Sequence, residues 1–406
     1  MAADDPRIEK QSVFVLRTSF MRQLFIFCLL AAFLGCVSDL PFEPSGPNAA
    51  PDPSNFGPFS VGVQTRIEYD YARTAPDGVS PRKLVTEIWY PSSPAGDSDK
   101  SESYNVKDVL PAELLERLDG VTITSFPTDA IRDAKPNTDH GPYPVVLFSH
   151  GSLSIRFQST FLTVYLASHG YVVISPDHQG NTFAELSDGN SVEIEDQVQS
   201  LVDRPDDLIY YLDRYPNLSE SDSLSGLMDW ERVGVSGHSF GAVTTLRAAG
   251  LDDRIDAIVP QCPAGYSLTW LDIERPLTSL DIPIMVQMAQ GDMTTPPEMA
   301  ESIWENVTAP GYYLRLEKAG HFTYSDLCTL GTETVQQVEE AGIGGGLISD
   351  GCNATNLSPE EGLPLIRNYT IGFFNHYLRN SPESLVFLDE EKAKNWTQSS
   401  VQLLRK

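Results

Sequence analysis

The pentapeptide Gly237-His238-Ser239-Phe240-Gly241 sets one serine between two glycines. A serine hydroxyl is a poor nucleophile and must be both aimed and deprotonated before it attacks a carbonyl. The pattern G-x-S-x-G does the aiming when a strand precedes it and a helix follows, because the sharp turn holds Oγ clear of the backbone. Here residues 232–235 read as a strand and 242–249 as a helix. An ordinary Gly/Ser turn would explain the five residues alone but not their flanks. Ser239 is therefore the expected nucleophile.

Such a nucleophile needs a base, an acid and oxyanion donors. Of seven histidines, His321 lies in Lys318-Ala-Gly-His-Phe322, directly after an apolar strand at 312–316. That is where the order Ser, acid, His delivers the base. The other histidines have different expected places. His140 ends a polar stretch, His150 and His238 sit in turns, His169 caps a helix and His376 lies in the last helix. His178, in Pro176-Asp-His-Gln-Gly180, follows a strand and is a candidate to touch substrate. The expected acid is Asp292, which follows the strand 284–289. A plain turn aspartate is the competing reading. The alternative acid position, after the preceding strand, reads Val259-Pro-Gln-Cys-Pro263 and holds no carboxylate. Should Asp292 fail, Asp256 and Asp281 are next.

A tetrahedral oxyanion needs two backbone donors, and loss of one costs about 2.7–4 kcal/mol of transition-state stabilisation. The N–H of Phe240 is one expected donor. The other is the N–H of Ser152, with Leu153 next to it, in Phe148-Ser149-His150-Gly151-Ser152. Tyr266 and Trp270, with Phe322 and Tyr324 around the base, are candidate walls for the acyl or alcohol group, although simple packing explains aromatics under loops equally well. No cysteine pair has metal-ligand spacing, so neither a metal nor a cofactor is expected.

The elements that must position these residues alternate. Apolar strands at 145–148, 171–175, 232–235, 255–260, 284–289 and 312–316 are separated by helical stretches at 158–168, 196–214 and 242–249. Residues 365–378 form a last helix, with Pro364 at its start. Strands at 61–69 and 84–90 read as an N-terminal hairpin, and 92–143 as a polar surface insertion with a helical patch at 110–118. This pattern predicts a mostly parallel sheet covered by helices on both faces.

The 406 residues carry 28 basic and 56 acidic side chains, a net charge of −28. That balance disfavours nucleic-acid binding and electrostatic docking on anionic lipid. Residues 24–34 form an apolar core of signal-peptide length after Arg22, too short to span a bilayer. Asp4, Asp5 and Glu9 are foreign to a signal, so translation is expected to begin at Met21. Gly35-Cys36 resembles a lipoprotein box, which would lipidate Cys36 and attach the chain to a bacterial envelope; a plain secretory signal is the alternative. Either way the protein is exported. Cys262, Cys328 and Cys352 then allow one disulfide. Cys328–Cys352 would staple a Gly-rich excursion at 328–362, and Cys262–Cys328 stays open. Six Asn-X-Ser/Thr sites, at Asn217, Asn306, Asn353, Asn356, Asn368 and Asn395, are read as unmodified.

Several separated motifs carry a family resemblance. Phe148-Ser-His-Gly-Ser, Leu166-Ala-Ser-His-Gly-Tyr-Val-Val-Ile-Ser-Pro-Asp-His and Gly237-His-Ser-Phe-Gly look like the platelet-activating-factor acetylhydrolases and dienelactone-hydrolase-like esterases. Val61-Gly-Val, Glu87-Ile-Trp-Tyr-Pro91 and Arg204-Pro205, with Asp206 and Asp207 at a helix start, fit the same pattern. The resemblance spans residues 59–325. It implies an α/β-hydrolase fold and hydrolysis of small-molecule or lipid carboxylic esters. One departure is Gln261-Cys262, where the animal acetylhydrolases place their acid. The expected organisation is a start and signal at 1–36, a tether at 37–58 and one catalytic domain at 59–406. A polyester or long-chain lipid hydrolase is the alternative activity. A catalytically silent binding protein on the same fold is the alternative class.

Overall fold

A computed structural model describes residues 50–94, 96, 100–186, 194–265, 277–308, 310–344, 347–394, 396 and 401–406. The signal-like segment with Cys36, residues 37–49 of the tether, Tyr266, Trp270 and Asn395 lie outside the described residues. The strands are β1 (Ser60–Thr74), β2 (Pro81–Ser92), β3 (Ser101–Tyr104), β4 (Phe126–Arg132), β5 (Tyr143–Ser149), β6 (Val172–Pro176), β7 (Met228–His238), β8 (Ala257–Gln261), β9 (Ile284–Ala289), β10 (Gly311–Leu316) and β11 (Val401–Arg405). They form one sheet in the order β11-β10-β9-β8-β7-β5-β6-β2-β1-β4-β3.

Unbroken apolar runs make strands only where both faces are covered. Accordingly β5, β6, β8 and β9 are buried at every residue. These strands, with β7 and β10, pair in parallel. Their C-terminal ends therefore share one edge of the sheet. The hairpin of β1 and β2 joins β6 in antiparallel register, and β11 closes the other edge against β10. Residues 92–143 do more than loop over the surface. They hold β3 and β4, and β4 pairs with β1. Their alternating polar side chains hid these strands, while Tyr104, Phe126 and Ala130 reach the core.

The helices used below are α1 (Ala112–Arg117), α2 (Thr160–Ser168), α3 (Ile194–Arg214), α4 (Phe240–Leu251), α5 (Pro297–Asn306), α6 (Thr332–Glu340) and α7 (Pro359–Tyr377). Glycines of β7 report what lies on its two faces, because alternate residues point opposite ways. A Cβ on Gly234 would strike Phe374 of α7 at 2.7 Å, and one on Gly237 the Gly241 carbonyl of α4 at 2.4 Å. Helices thus cover both faces of the central strand.

Two prolines fall elsewhere than expected. Pro364 lies inside α7, which starts at Pro359 with Glu360 and Glu361 in its first turn. Proline at the first position and acids near the N-terminus both favour that earlier start. Arg204-Pro205 lies in the middle of α3, not at its beginning. Pro205 has no N–H to donate back to the Leu201 carbonyl. Arg247 of α4 supplies that bond instead, with its Nε 2.7 Å from the Leu201 oxygen.

Candidate active site

The parallel strands bring the expected residues to one edge. Ser239 follows β7, Asp292 follows β9, His321 follows β10 and the 149–153 loop follows β5. Ser239 has φ 58° and ψ −119°, a conformation that non-glycine residues seldom adopt. Such strain costs about 1–3 kcal/mol and persists only where neighbours impose it. They do so here. The Ser239 N–H donates to the Gln261 carbonyl at 2.8 Å. Gly241 must be glycine, since a Cβ there would stand 1.9 Å from the Ser149 oxygen.

His321 and Asp292 form a buried pair, with Nδ1 of the ring 2.8 Å from the carboxylate Oδ2. The carboxylate is aimed by its own loop. Its Oδ1 accepts the N–H groups of Thr294 at 2.9 Å and Thr295 at 2.7 Å, and its Oδ2 accepts the Thr295 hydroxyl at 3.1 Å. His238, the residue before Ser239, has its ring 4.5 Å from that of His321, tilted at 47°, and donates Nε2–H to the His321 carbonyl at 3.0 Å. His321 thus lies beside the elbow. Among the described residues, nothing bonds its Nε2.

The loop after β5 is tied down around one open donor. Gly151 N–H donates to Gln158 Oε1 at 2.7 Å, and Leu153 N–H to Asn181 Oδ1 at 3.0 Å. Between them, the Ser152 N–H has no acceptor among the described residues. Leu153, the other expected donor, is therefore occupied. Phe240 opens α4, and the first N–H groups of a helix have no partner inside it. A Cβ on Gly151 would lie 3.6 Å from that of Ser239, so loop and elbow are neighbours.

Other expectations sort as follows. Phe322 is half-buried with its ring 5.2 Å from that of His321, whereas Tyr324 is fully buried. Tyr266 and Trp270 lie outside the described residues. His178 is not at the cleft. It is fully buried beneath the loop, with one ring nitrogen on Ser149 and the other on Asp207. The Cys328–Cys352 disulfide is present, and Cys262 is free and buried. Burial, then the negative Asp292, push the Cys262 thiol well above its usual range. It occupies the alternative acid position as an inert packing group.

His238, Cys262 and His321 bring donor atoms within 4.8 Å of one another, the spacing a metal would need. The His238 ring is committed, however, because Gln158 Nε2 donates to its Nδ1 at 3.0 Å while its Nε2–H is held by the His321 carbonyl. Burial, then the neighbouring His321, hold His238 well below the usual histidine range, so the ring stays neutral.

Two groups near the site were not foreseen as site residues. Asp350 Oδ2 accepts the N–H groups of Met293 at 2.9 Å and Thr294 at 3.1 Å, and its carbonyl accepts the Phe322 N–H at 2.8 Å. One residue thus joins the loops of Asp292 and His321. The second is the buried set Ser149, Arg204 and Asp207 around His178. Its signal was a charge on an apolar stripe, since Leu201, Arg204, Leu208 and Tyr211 share one face of α3.

Residues 133–339 match the PET hydrolase-like family. The chain is 26% identical to a bis(hydroxyethyl) terephthalate hydrolase of Streptomyces coelicolor over 46% of its own length and 53% of that protein's. It is 24% identical to the platelet-activating factor acetylhydrolase of Cavia porcellus over 28% of its length and 33% of that protein's. The chain thus spans about half or less of the curated relatives it matches. A ferulic acid esterase from Streptomyces cinnamoneus shares the fold, with a TM-score of 0.64, 24% identity and coverage of 86% of this chain and 97% of that one.

Proposed function

We propose that this chain, which belongs to the PET hydrolase-like family of α/β-hydrolases, hydrolyses carboxylic esters through an acyl-enzyme on Ser239. The observation that carries the reading is the strained elbow at Ser239 beside a buried His321–Asp292 pair at 2.8 Å. In this mechanism His321 Nε2 takes the Ser239 proton as Oγ attacks the ester carbonyl. Asp292 holds the ring in the Nδ1–H tautomer and stabilises the imidazolium. The N–H groups of Ser152 and Phe240 receive the oxyanion. His321 then protonates the leaving alcohol and activates water for deacylation. No metal or cofactor enters these steps.

The rim favours a neutral, apolar ester. Leu153, Phe240 and Phe322 are half-buried and Met293 is exposed. Each of them belongs to, or adjoins, a residue of the proposed machinery. Ser239→Ala should abolish hydrolysis of p-nitrophenyl acetate and butyrate while the fold persists; retained turnover would sink the assignment. A fluorophosphonate should label Ser239, and a folded chain that takes no label would instead be a binding protein. A polyester as substrate is favoured by Met293, 68% exposed next to the acid. The name of the Streptomyces coelicolor relative points the same way. A panel of short esters, long-chain lipids and aliphatic or aromatic polyesters separates these substrates.

We further propose that the protein is exported, with Cys36 as lipid anchor. The Cys328–Cys352 disulfide supports an oxidising compartment. Among the described residues, no helix is long and apolar enough to cross a membrane. Mass spectrometry of the mature N-terminus tests the anchor, and an unmodified start elsewhere than Cys36 would exclude it.

A further inference from the structure

Behind the loop after β5 lies a second Ser–His–Asp chain that the proposed reaction does not use. Ser149 Oγ is 2.9 Å from His178 Nε2, and His178 Nδ1 is 2.9 Å from Asp207 Oδ2. All three residues are fully buried. This serine has no access to substrate, and Arg204 Nη2 donates to its Oγ at 2.9 Å. The order of donation is fixed. Arg204 donates to Ser149, Ser149 to His178 Nε2, and His178 Nδ1–H to Asp207. Arg82 closes the chain with bonds of 2.5 and 2.6 Å to the Asp207 carboxylate.

The charges suit that order. Burial and the neighbouring Arg204 bring His178 down to about 3, so its ring is neutral. Burial pushes Asp207 up, but Arg82 and His178 outweigh it and hold the carboxyl well below its usual range. Burial also lowers Arg204, to about 9, against the pull of Asp207, and the guanidinium remains charged at neutral pH.

Arg204 is not needed to neutralise Asp207, which already has the charged Arg82 and Arg73 within 2.9 Å and the neutral His178 as a donor. Its own contacts go forward, toward the site. Nη2 donates to the His150 carbonyl. Nη1 donates at 3.2 Å to Asn181 Oδ1, the same oxygen that holds the Leu153 N–H. The guanidinium also lies 4.8 Å from the centre of the Phe240 ring, a cation–π distance. These contacts bracket Ser152 from both sides and grip Phe240 by its side chain.

We infer that Arg204 is a positioning residue that sets both oxyanion donors, Ser152 and Phe240, and that the Ser149–His178–Asp207 chain holds Arg204 for this task. The inference rests on the ester-hydrolase reading above. Donors aimed in advance at the developing charge need no reorganisation during reaction, which is how such sites gain most of their rate. A fixed positive charge behind them adds to the same field.

The test compares p-nitrophenyl butyrate with its thiono analogue, in which sulfur replaces the carbonyl oxygen. Sulfur is larger and accepts hydrogen bonds poorly, so it gains little from aligned N–H groups. Arg204→Lys and Ser149→Ala should lower kcat on the oxygen ester by roughly 10- to 100-fold, less than or comparable to removal of one oxyanion donor. KM should hardly move, and the oxygen-to-sulfur rate ratio should fall with kcat. Arg204→Ala should go further; if it does not fold, the two milder variants carry the test. Folded Arg204→Lys and Ser149→Ala with wild-type kcat, or with kcat lost and the ratio unchanged, would overturn the inference. A wild-type protein that neither turns over nor labels at Ser239 removes the ester-hydrolase reading and this inference together.

Discussion

Removing the Cys328–Cys352 disulfide should damage both stability and catalysis, by separable routes. The bridge closes a segment with a sequence separation of 24. In the chain-entropy account, opening a loop of that size destabilises the protein by about 3.5 kcal/mol. A typical domain stability of about 5–15 kcal/mol leaves the Cys328→Ser/Cys352→Ser variant folded at 25 °C. Catalysis enters through Asp350, which lies inside the closed loop next to Gly351 and Cys352. Its carboxylate holds the loop of Asp292, and its carbonyl holds Phe322 beside His321. Loosening it should let acid and base drift apart, where misplacement by about 1 Å can cost up to 10²-fold. We expect kcat for p-nitrophenyl butyrate to fall by roughly 10-fold, with little change in KM. Urea unfolding at pH 7 gives the stability term. Asp350→Ala, with the disulfide intact, should reproduce the loss of kcat, whereas Asp350→Asn retains an acceptor oxygen and most of the rate. A double serine variant that is less stable yet catalytically normal would refute the link through Asp350.

Three further outcomes follow from the described geometry. Asp292→Asn should lower kcat by about 10³- to 10⁴-fold, because the amide no longer enforces the Nδ1–H tautomer; a near-wild-type rate would return the search to Asp256 or Asp281. Stability should fall on acidification from pH 7 to 5. Burial lowers His169 to about 4 and His178 to about 3, and lowers His150 and His238 well below the usual range. The unfolded chain therefore binds more protons below about pH 6.5, and the stabilising effect of these neutral rings is lost as pH falls. Asp326, raised by burial to about 6, acts oppositely, being stabilised in its protonated form as pH drops. Four histidines should outweigh it, and urea midpoints that stay level or rise toward pH 5 would contradict the balance. Finally, iodoacetamide at pH 8 should leave Cys262 unlabelled until the protein is unfolded, since its thiol is sealed and held protonated; rapid native labelling would show an accessible thiol.

What could be read from the sequence was whatever repeats along the chain with a fixed period or follows a fixed order. The apolar runs at 145–148, 284–289 and 312–316 lie within β5, β9 and β10, because a strand covered on both faces has no polar side to disguise it. The loops after them then had to share an edge, which is why Ser239, Asp292, His321 and Ser152 could be named together. Strands β3 and β4 are hidden in the sequence because, at the outer end of the sheet, their exposed polar residues look like surface. Pro364 misleads for a different reason: a proline marks a helix start only if no earlier residue already begins the helix, and Pro359 does. The place of His178 after a strand points to the cleft and gives no sign of its burial. Its burial depends on α3, which presents Arg204 and Asp207 from far along the chain.

The one serine-histidine pair hydrogen-bonded side chain to side chain among the described residues is the buried Ser149–His178, and a bonded triad is not by itself evidence of a nucleophile. Ser149, His178 and Asp207 have well-formed bonds, and the serine proton and both ring nitrogens of that chain are already committed. Arg204 donates to the serine, and Arg82 holds the aspartate. At Ser239 the arrangement is less complete. The hydroxyl lies on a strained, half-buried turn, Nε2 of His321 is unclaimed, and the Ser152 and Phe240 N–H groups have no acceptor among the described residues. A site poised for reaction must keep such groups open at some cost in stability, and a structural network must close them. By that criterion the sealed triad supports the open one, and substitutions in the first should slow the reaction without changing which serine is labelled.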